Sequence, residues 1–306
     1  MLGLRLTSHQ KEFDQINNFI NFNVVRVGVV TCSEYPKLCP SEQFLIHELA
    51  KIGHQPVPVV WSSSQDWSKF NLLLIRSVWD YHKRYPEFME WLHLIKRLSV
   101  NTQNSVDIIL KNSDKRYLKE LEKSGFAIVP TELLDTNDTS EILEKMDSQG
   151  WDRAVVKPTV SATAYQTFLI REKADLRKVD LKNDQSYLLQ VFMPEIYKGE
   201  YSFIFFNGNF SHAVIKKPKD NDFRVQSDFG GSFQLVRIKD EVVTQAERII
   251  GSLPEIPLYA RVDGLIFQDK FILMELELIE PELFLLSDEL RTRFVKSISD
   301  VIDLMH

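Results

Sequence analysis

The chain has 306 residues, 44% of them hydrophobic, and its 43 acidic residues outnumber its 37 lysine and arginine residues to give a net charge of −6. A chain of this length can bury a sizeable core and suggests two or more domains or lobes. Because it is acidic and contains no basic tract, it carries no sign of binding to nucleic acid or to an anionic membrane surface. We therefore expect a small-molecule partner.

The cysteines and the N-terminus bear on the compartment. Cys32 and Cys39 form neither a CxxC pair nor a zinc-site spacing with histidine, so we interpret them as free thiols in a reducing compartment. No apolar run reaches the length of a membrane span, and residues 1–23 are too charged for a signal peptide. We expect a cytoplasmic protein with no membrane contact, in which residues 1–23 form a leader or a peripheral helix.

Residues 24–111 have the pattern of an α/β layer. Their strands are apolar almost throughout, which is typical of parallel strands that are buried on both faces. Ser41 is suited to cap a helix after the first strand, and Gly53 is suited to end it. The resulting β-α-β-β order predicts the start of an α/β layer. The strands are predicted at residues 24–31, 56–61 and 71–75.

A polar and aromatic cluster, residues 76–82, follows the third strand. Open α/β sheets bind ligands outside the carboxyl ends of their strands, so Arg76 and Asp80 are candidate substrate contacts. Alternatively, these two residues pair with each other while Trp79 and Tyr81 anchor the next helix. The sequence leaves both interpretations open.

Lys115 is the first of two lysines that could contact phosphate. It begins a predicted helix over residues 115–123, which Asn112 or Ser113 would cap. The helix dipole disfavours a cation at that end, and a bound phosphate would reverse the penalty. The alternative is an exposed lysine in a first helical turn.

Lys157 is the second lysine. It ends a predicted buried strand and precedes a loop of small hydroxyl residues, in which Ser161 or Thr163 could add hydrogen bonds to phosphate oxygens. A lysine that extends its ammonium group to solvent at a strand end is the alternative. Neither a Walker A sequence nor a GxGxxG motif occurs in the chain.

Two further strands, residues 200–206 and 211–217, are joined by an Asn-Gly turn, which is typical of a tight hairpin. Arg224, Gly230 and Gly231 lie on the loop that follows. Glycines beside an arginine allow the backbone to approach an oxyanion or a phosphate closely. A surface loop without a ligand has the same composition, so this segment alone decides nothing.

The C-terminal part contains another predicted hairpin, with strands over residues 259–267 and 271–279. We take Phe267 and Phe271 to face each other across the short polar loop. Because side chains alternate along a strand, counting back from this pair places one set of charged residues on a single face. The predicted cross-strand pairs are Asp263 with Glu275 and Arg261 with Glu277.

Three carboxylates and one guanidinium would share that face. Like charges opposite each other destabilise a strand pair, so the face needs a compensating cation. Mg²⁺ fits, because proteins usually hold it with one or two carboxylates together with the phosphates of a nucleotide. The alternative is an amphipathic strand whose acidic face is in water.

Taken in chain order, these elements resemble the ATP-grasp superfamily. They are Lys115, Lys157, the bend at residues 190–193, Glu200, Arg224, Arg261, Asp263, Glu275 and Glu277. The similarity extends to the glutathione-synthetase-like branch, which includes the cyclo-ligase that forms D-cycloserine. The segments that carry it are residues 76–81, 211–218, 222–226 and 274–281.

The resemblance implies a fold class that is α/β overall and α+β within the ATP-grasp lobes. An N-terminal α/β pre-ATP-grasp domain over residues 24–111 would precede a small lobe over residues 112–189 and a large lobe over residues 190–306. The two lobes would grip ATP between them, and the large lobe would carry the metal and catalytic site.

The resemblance also implies ATP and Mg²⁺, or Mn²⁺ in its place, as cofactors. The implied nucleotide contacts are Lys115, Lys157 and, beside them, Ser161 for the phosphates, Gln190, Phe192 and Met193 for adenine, and Glu200 for the ribose. The implied metal ligands are Asp263, Glu275 and Glu277, and the candidate catalytic residues are Arg261, Arg224 and Lys216. The candidate substrate contacts remain Arg76, Asp80, Gly230 and Gly231.

The function that follows is ATP-dependent ligation of a carboxylate to an amine through an acyl phosphate, on a small amino-acid-like or peptide-like substrate. An ATP-grasp phosphotransferase and a non-catalytic ATP-binding regulator are the alternatives. Two features depart from the family pattern: residues 158–167 contain no glycine where the family has a glycine-rich loop, and Glu277 stands where related ligases often have asparagine. The oligomeric state is open, although dimers are the commonest assembly.

Overall fold

The computed structural model describes residues 24–134, 138–182, 185–220, 222–225 and 229–305. The expected leader or peripheral helix, residues 1–23, lies outside the described residues. Within them the chain forms three β-sheets with helices packed against them. None of the helices in these ranges combines the length and the apolar character that crossing a bilayer requires.

The first sheet is parallel, as predicted, in the order β2-β1-β3-β4. Its strands are β1 (Arg26–Thr31), β2 (Gln55–Val60), β3 (Leu72–Ser77) and β4 (Asn101–Gln103), and its helices are α1 (Phe44–Lys51), α2 (Tyr85–Arg97) and α3 (Val106–Asn112). The predicted cap of α1 is wrong: the helix starts after Gln43, and the Ser41 hydroxyl instead donates to Glu282 at 3.2 Å.

The second sheet is antiparallel, in the order β5-β8-β6-β7. It contains β5 (Thr131–Leu134), β6 (Ala154–Pro158), β7 (Phe168–Ile170) and β8 (Tyr187–Val191). Helix α4 (Tyr117–Lys123) precedes β5 in the chain, and α5 (Ser140–Gln149) connects β5 to β6. The helix that we expected to begin at Lys115 begins at Tyr117, because α3 continues to Asn112. Lys115 therefore lies in the connection between α3 and α4.

The third sheet is also antiparallel, in the order β11-β10-β9-β12-β13. Its strands are β9 (Glu200–Phe206), β10 (Asn209–Lys217), β11 (Ser232–Val236), β12 (Tyr259–Phe267) and β13 (Lys270–Glu277), and its helices are α6 (Asp240–Gly251) and α7 (Asp288–Asp303). Helix α7 buries Phe294 in a cluster with Leu74 of the first sheet and Phe206 of the third. This shared core joins the two sheets.

The β12–β13 hairpin has the predicted charged pairs but not the predicted starting pair. Phe267 lies opposite Lys270 rather than Phe271, so the register at the turn differs by one residue from our assumption. A bulge between Asp263 and Gly264 shifts the register by one residue and compensates for this difference. Asp263 consequently faces Glu275, and Arg261 faces Glu277, as the sequence predicts.

Strand β13 is at the edge of its sheet, and two side chains occupy that edge. The Asn112 amide donates to the Leu276 carbonyl at 2.8 Å and accepts from the Leu278 N–H at 3.0 Å. The Tyr117 hydroxyl donates to the Leu276 carbonyl and accepts from the Leu276 N–H, each at 2.9 Å. Asn112, which the sequence predicted as a helix cap, therefore holds the strand that carries Glu275 and Glu277.

Candidate active site

A cleft of about 610 Å³ is lined by residues from the second and third sheets and from the segments that follow β1 and β3 of the first. Most of the residues that the sequence predicted for the site line this one cleft, although they are spread over nearly 200 positions of the chain. They are Asp80, Lys115, Lys157, Ser161, Gln190, Phe192, Met193, Glu200, Lys216, Arg224, Arg261, Asp263, Glu275 and Glu277.

Arg76 does not line the cleft, and its prediction as a substrate contact is wrong. Its guanidinium is 1% exposed and donates to Glu42 through Nε at 2.9 Å, while its charge lies 4.5 Å from the centre of the Tyr259 ring. The alternative pairing with Asp80 is wrong as well, because Asp80 accepts from the Trp61 indole at 2.7 Å. Arg76 is a buried structural cation.

Gly230 and Gly231 are also not among the residues that line the cleft. Gly230 has a φ of +81° and packs beside the Lys219 side chain, where the chain turns into β11. The residue that this segment contributes to the cleft is Phe233, whose ring centre lies 4.9 Å from that of Phe284. The turn conformation thus explains the glycine without a substrate contact.

Arg261 is the centre of the charged cluster at one end of the cleft. Its Nε donates to Asp263 at 3.0 Å, its Nη2 donates to the same carboxylate at 2.9 Å, and Nη2 also donates to Glu277. Burial would raise the pKa of Asp263, but Arg261 and Lys216 outweigh it and lower that pKa to about 2. Asp263 is therefore ionised at every physiological pH.

Lys216 links Asp263 to Glu200. Its ammonium group donates to Glu200 at 2.5 Å and to Asp263 at 3.2 Å, and the Ser202 hydroxyl donates to Asp263 as well. Burial would lower the pKa of Lys216, but the two carboxylates raise it above its usual value. The ammonium group thus stays charged between them.

Lys115 forms an ion pair with Glu275, which lies on the charged face of the β12–β13 hairpin. Its ammonium group lies 3.2 Å from Glu275 and donates to the Ser161 hydroxyl at 3.2 Å and to the Ser161 carbonyl. Burial would raise the pKa of Glu275, but Lys115 and Lys157 lower it below its usual value. Lys115 connects strand β13 to the loop that follows β6.

Lys157 differs from the other cations of the site. Its side chain is 9% exposed, and no hydrogen bond or ion pair of its ammonium group is found among the described residues. Burial lowers its pKa, although the negative charge of Glu275 opposes that effect. A buried cation without a direct partner is costly to a fold, and it is suited to receive an anion.

The apolar part of the cleft is formed by the end of β8. Phe192 belongs to a buried cluster with Val225 and Leu265, and Met193 and Met274 pack against it. Gln190 donates its amide to the Thr131 hydroxyl at 2.9 Å. This end of the cleft suits a flat, largely apolar ring whose edge meets backbone groups.

Arg224 lines the cleft from the loop between β10 and β11. It donates to Asp222 through Nη2 at 2.8 Å and lies 3.6 Å from the centre of the Phe229 ring. The Arg224 guanidinium lowers the pKa of Asp222 to about 2. The arginine is thus held by one acid and one aromatic ring.

The predicted metal ligands share the cleft but do not form a ready cage. Among the described residues, no three acidic, histidine or cysteine side chains converge as metal ligands would. The donor set still fits Mg²⁺, which is usually held by one or two carboxylates plus nucleotide phosphates. Burial, and after it the charges of Asp263 and Glu275, raise the pKa of Glu277 to about 8 even though Arg261 opposes them. This excess of negative charge would be offset by a divalent cation.

Sequence reasoning missed Glu280 and His82, which also line the cleft. Burial raises the pKa of Glu280 to about 7. Leu278 and Ile279, both buried, interrupt the alternation of polar residues, so period-2 counting stops before this glutamate. His82 lay within the predicted cluster, but nothing in the sequence separated it from its aromatic neighbours.

Two family models match the chain in sequence. Residues 27–104 match the N-terminal domain of the D-cycloserine synthetase DcsG. Residues 114–267 match the ATP-grasp domain of prokaryotic glutathione synthetase, which is half of the chain. The resemblance that the sequence predicts is therefore confirmed, as are the order and the class of its domains.

Individual proteins agree with these matches. The cycloserine biosynthesis protein DcsG of Streptomyces lavendulae is 26% identical over 160 residues, which are 49% of this chain and 53% of that protein, about half of its length. The crystal structure of D-cycloserine synthetase DcsG is similar with a TM-score of 0.80 and 21% identity, over 90% of this chain and 99% of that chain. D-alanine–D-alanine ligase from Bacillus anthracis has a TM-score of 0.65 and 14% identity, over 92% and 97%.

At these identities the solved structures show the fold, and the family model carries the assignment. The chain belongs to the ATP-grasp superfamily, with an ATP-grasp domain of the prokaryotic glutathione synthetase family, and the preceding residues 27–104 are similar to the N-terminal domain of DcsG.

Proposed function

We propose that this chain is an ATP-dependent ligase that joins a carboxylate to an amine through an acyl phosphate. The observation that carries the proposal is the convergence of Lys115, Lys157 and Arg261 with Asp263 and Glu275 in one cleft. Cations that can hold phosphate oxygens and carboxylates that can hold a divalent ion are the parts that phosphoryl transfer needs. Family membership supports the same reaction class.

We assign adenine to the apolar end of the cleft. The N–H groups of Val191 and Phe192 already donate to the carbonyls of Pro130 and Arg153, at 3.0 and 2.9 Å. The donor that we assign to the adenine edge is therefore the Met193 N–H. Glu200 would accept from the ribose hydroxyls while Lys216 keeps its carboxylate in position.

We assign the phosphates to Lys115 and Lys157. Lys157 would gain its first direct partner, and Lys115 would add the phosphate to the bonds that it makes with Ser161. Asp263, Glu275 and Glu277 would hold Mg²⁺, which would offset the negative charge of the phosphates.

The chemistry has two steps. The γ-phosphoryl group passes from ATP to a carboxylate oxygen of the substrate, which yields ADP and an acyl phosphate. The amine then attacks the acyl carbon, inorganic phosphate leaves, and the nitrogen loses a proton. Arg261 would stabilise charge on the transferring group, Arg224 would hold the oxyanion of the second step, and Lys216 is a further candidate beside them.

The substrate class is proposed from the names of the relatives. DcsG and D-alanine–D-alanine ligase are named for small amino-acid-like compounds, so we propose small carboxylates and amines as substrates. Asp80 lines the cleft from the segment after β3, and it is the one predicted substrate contact that does so.

We retain the division into residues 24–111, 112–189 and 190–306 as a proposal. We move the last boundary into the stretch between Val191 and Glu200, where the chain passes from the second sheet to the third.

An ADP-release assay over mixtures of amino acids and other small carboxylates tests the proposal. Release that needs both an acid and an amine, with an amide identified by mass spectrometry, is the expected result. A phosphate ester as the only product would favour the phosphotransferase alternative. Nucleotide binding without any release would favour the regulatory alternative.

A further inference from the structure

The glycine-free loop after Lys157, residues 159–167, has a backbone that its sequence does not favour. Thr163, Ala164 and Gln166 have φ angles of 51°, 54° and 50°, in the left-handed region that residues with a side chain seldom adopt. Such a conformation persists only where the surroundings hold it. The contacts of this loop therefore decide whether it is fixed or mobile.

The start of the loop is fixed to the elements beside it. The Thr159 carbonyl accepts from the Lys115 N–H at 2.9 Å, and the Thr159 N–H donates to the Ser186 carbonyl at 2.8 Å. The Ser161 hydroxyl donates to the Pro158 carbonyl at 3.2 Å and accepts from the Lys115 ammonium group. These bonds tie the loop to a lysine that we assign to phosphate.

The middle of the loop packs against the core of the first sheet. Val160 and Ala162 contact the buried cluster that contains Val78 and Tyr81 from the segment after β3. Apolar side chains thus occur in a loop that is glycine-rich in the family. The loop gains hydrophobic contacts that a glycine-rich loop cannot make.

The tip of the loop meets His82. The ring of Tyr165 lies 5.4 Å from the His82 ring, with 53° between the planes. His82 is 8% exposed, and neither of its ring nitrogens has a hydrogen-bond partner among the described residues. The imidazole therefore contributes its ring to this contact, and aromatic pairs in such tilted arrangements attract each other.

We propose that residues 159–167 form a pre-formed cover over the phosphate end of the cleft, held in place by the contact between the rings of Tyr165 and His82. The loop is therefore ordered before a nucleotide binds. Tyr165 and His82 act as positioning residues, since they keep Ser161 against Lys115. The effect on nucleotide affinity rests on the proposed ATP-dependent function, whereas the fixed state of the loop does not.

Hydrogen–deuterium exchange of the full chain, with and without Mg²⁺ and the ATP analogue AMP-PNP, tests the fixed state. We expect the wild-type loop to be protected in both samples. Tyr165→Ala should speed exchange in residues 159–167, whereas Tyr165→Phe and His82→Phe should match the wild type because each keeps two aromatic rings in contact. Phe267→Ala, an exposed ring outside the cleft, is the control and should leave the loop unchanged.

Calorimetry with AMP-PNP tests the consequence. Tyr165→Ala should raise Kd by about three- to tenfold, the equivalent of one aromatic pair, and Tyr165→Phe should restore it. A wild-type loop that exchanges like an unstructured peptide until AMP-PNP is added would overturn the proposal, as would unchanged exchange in Tyr165→Ala. A protected loop in a wild-type protein that does not bind AMP-PNP would support the fixed loop and contradict the proposed function instead.

Discussion

Asp263 and Glu275 lie directly opposite each other on β12 and β13, and each carboxylate forms an ion pair with a lysine from another part of the chain. Asp263 pairs with Arg261 at 2.9 Å and with Lys216 at 3.2 Å, whereas Glu275 pairs with Lys115 at 3.2 Å. On binding, a nucleotide and its metal ion would therefore replace these ion pairs: the phosphates would contact the cations, and the metal ion would contact the carboxylates. Substitutions that leave one partner alone should reveal this balance.

Lys115 and Lys157, the lysines that we assign to phosphate, should respond differently to removal of their charge. Lys157→Met should leave the free energy of unfolding at or above the wild-type value, because the residue is largely buried and its ammonium group has no hydrogen bond or ion pair among the described residues. Lys115→Met should lower it by about 1–3 kcal/mol, because Glu275 loses its ion pair. Urea denaturation measures both, and equal losses would contradict the difference. Both variants should weaken AMP-PNP binding in calorimetry.

Arg261 should be needed for turnover more than for nucleotide binding. Arg261→Ala should lower ADP release by about 100-fold or more, the effect of removing one group that stabilises developing charge, while AMP-PNP still binds. Arg261→Lys keeps a cation but not the fork that spans Asp263 and Glu277, so it should recover little activity. Undiminished turnover in either variant would refute this role. Thermal unfolding shows whether each variant remains folded.

Asp263 should determine the metal requirement. Asp263→Asn should raise the Mg²⁺ concentration that gives half-maximal ADP release, because an amide oxygen is a weaker ligand for a hard cation than a carboxylate. Asp269→Asn is the matched control, since Asp269 is exposed and pairs with Lys239 outside the cleft. An unchanged metal titration in Asp263→Asn would count against this ligand.

Gly264 should be essential to the hairpin register. A Cβ atom there would lie 2.4 Å from the Ile272 carbonyl oxygen and 2.6 Å from the Phe271 ring, so Gly264→Ala should cost about 1–3 kcal/mol of stability. Gly251→Ala is the control, because it meets nothing within 4 Å at the end of α6. Urea denaturation compares the two variants, and equal stability would show that the strands separate without cost.

His82 should contribute to the acid sensitivity of the fold. Burial, followed by Lys83 and Lys115, lowers its pKa from 6.5 to about 4, although the charge of Asp80 opposes the shift. Below pH 6.5 the unfolded chain takes up a proton at this residue that the folded chain does not, so stability falls as the pH falls towards 4. Between about pH 7.5 and about pH 5, His82→Phe should lose less stability than the wild type. Urea denaturation midpoints of both proteins at the two pH values measure the difference. Parallel losses would contradict the shift.

The sequence predicted the site well where charged residues share a strand face. Alternation along a strand is fixed by backbone geometry, so Arg261, Asp263, Glu275 and Glu277 fall together once the strands are identified. The assumed pair of Phe267 with Phe271 was wrong, and a bulge compensated for it. Bulges depend on local packing around residues such as Gly264, which a count along the sequence does not contain.

The failures share a physical cause, which is a partner distant in the chain. Arg76 looked like a substrate contact because of its place after a strand, but Glu42, 34 residues earlier, neutralises it. Asn112 had the residue type of a helix cap, but its amide reaches strand β13, 164 residues later. Local propensity describes neighbours along the chain, whereas these roles are set by tertiary contacts.

The side chains of Asn112 and Tyr117 along β13 also bear on how the protein behaves at high concentration. An exposed sheet edge presents free N–H and C=O groups that can recruit a strand from another molecule and begin aggregation. Here the backbone groups of Leu276 and the N–H of Leu278 are already engaged by these two side chains. The acidic strand is thereby closed to intermolecular pairing at the end where its glutamates lie.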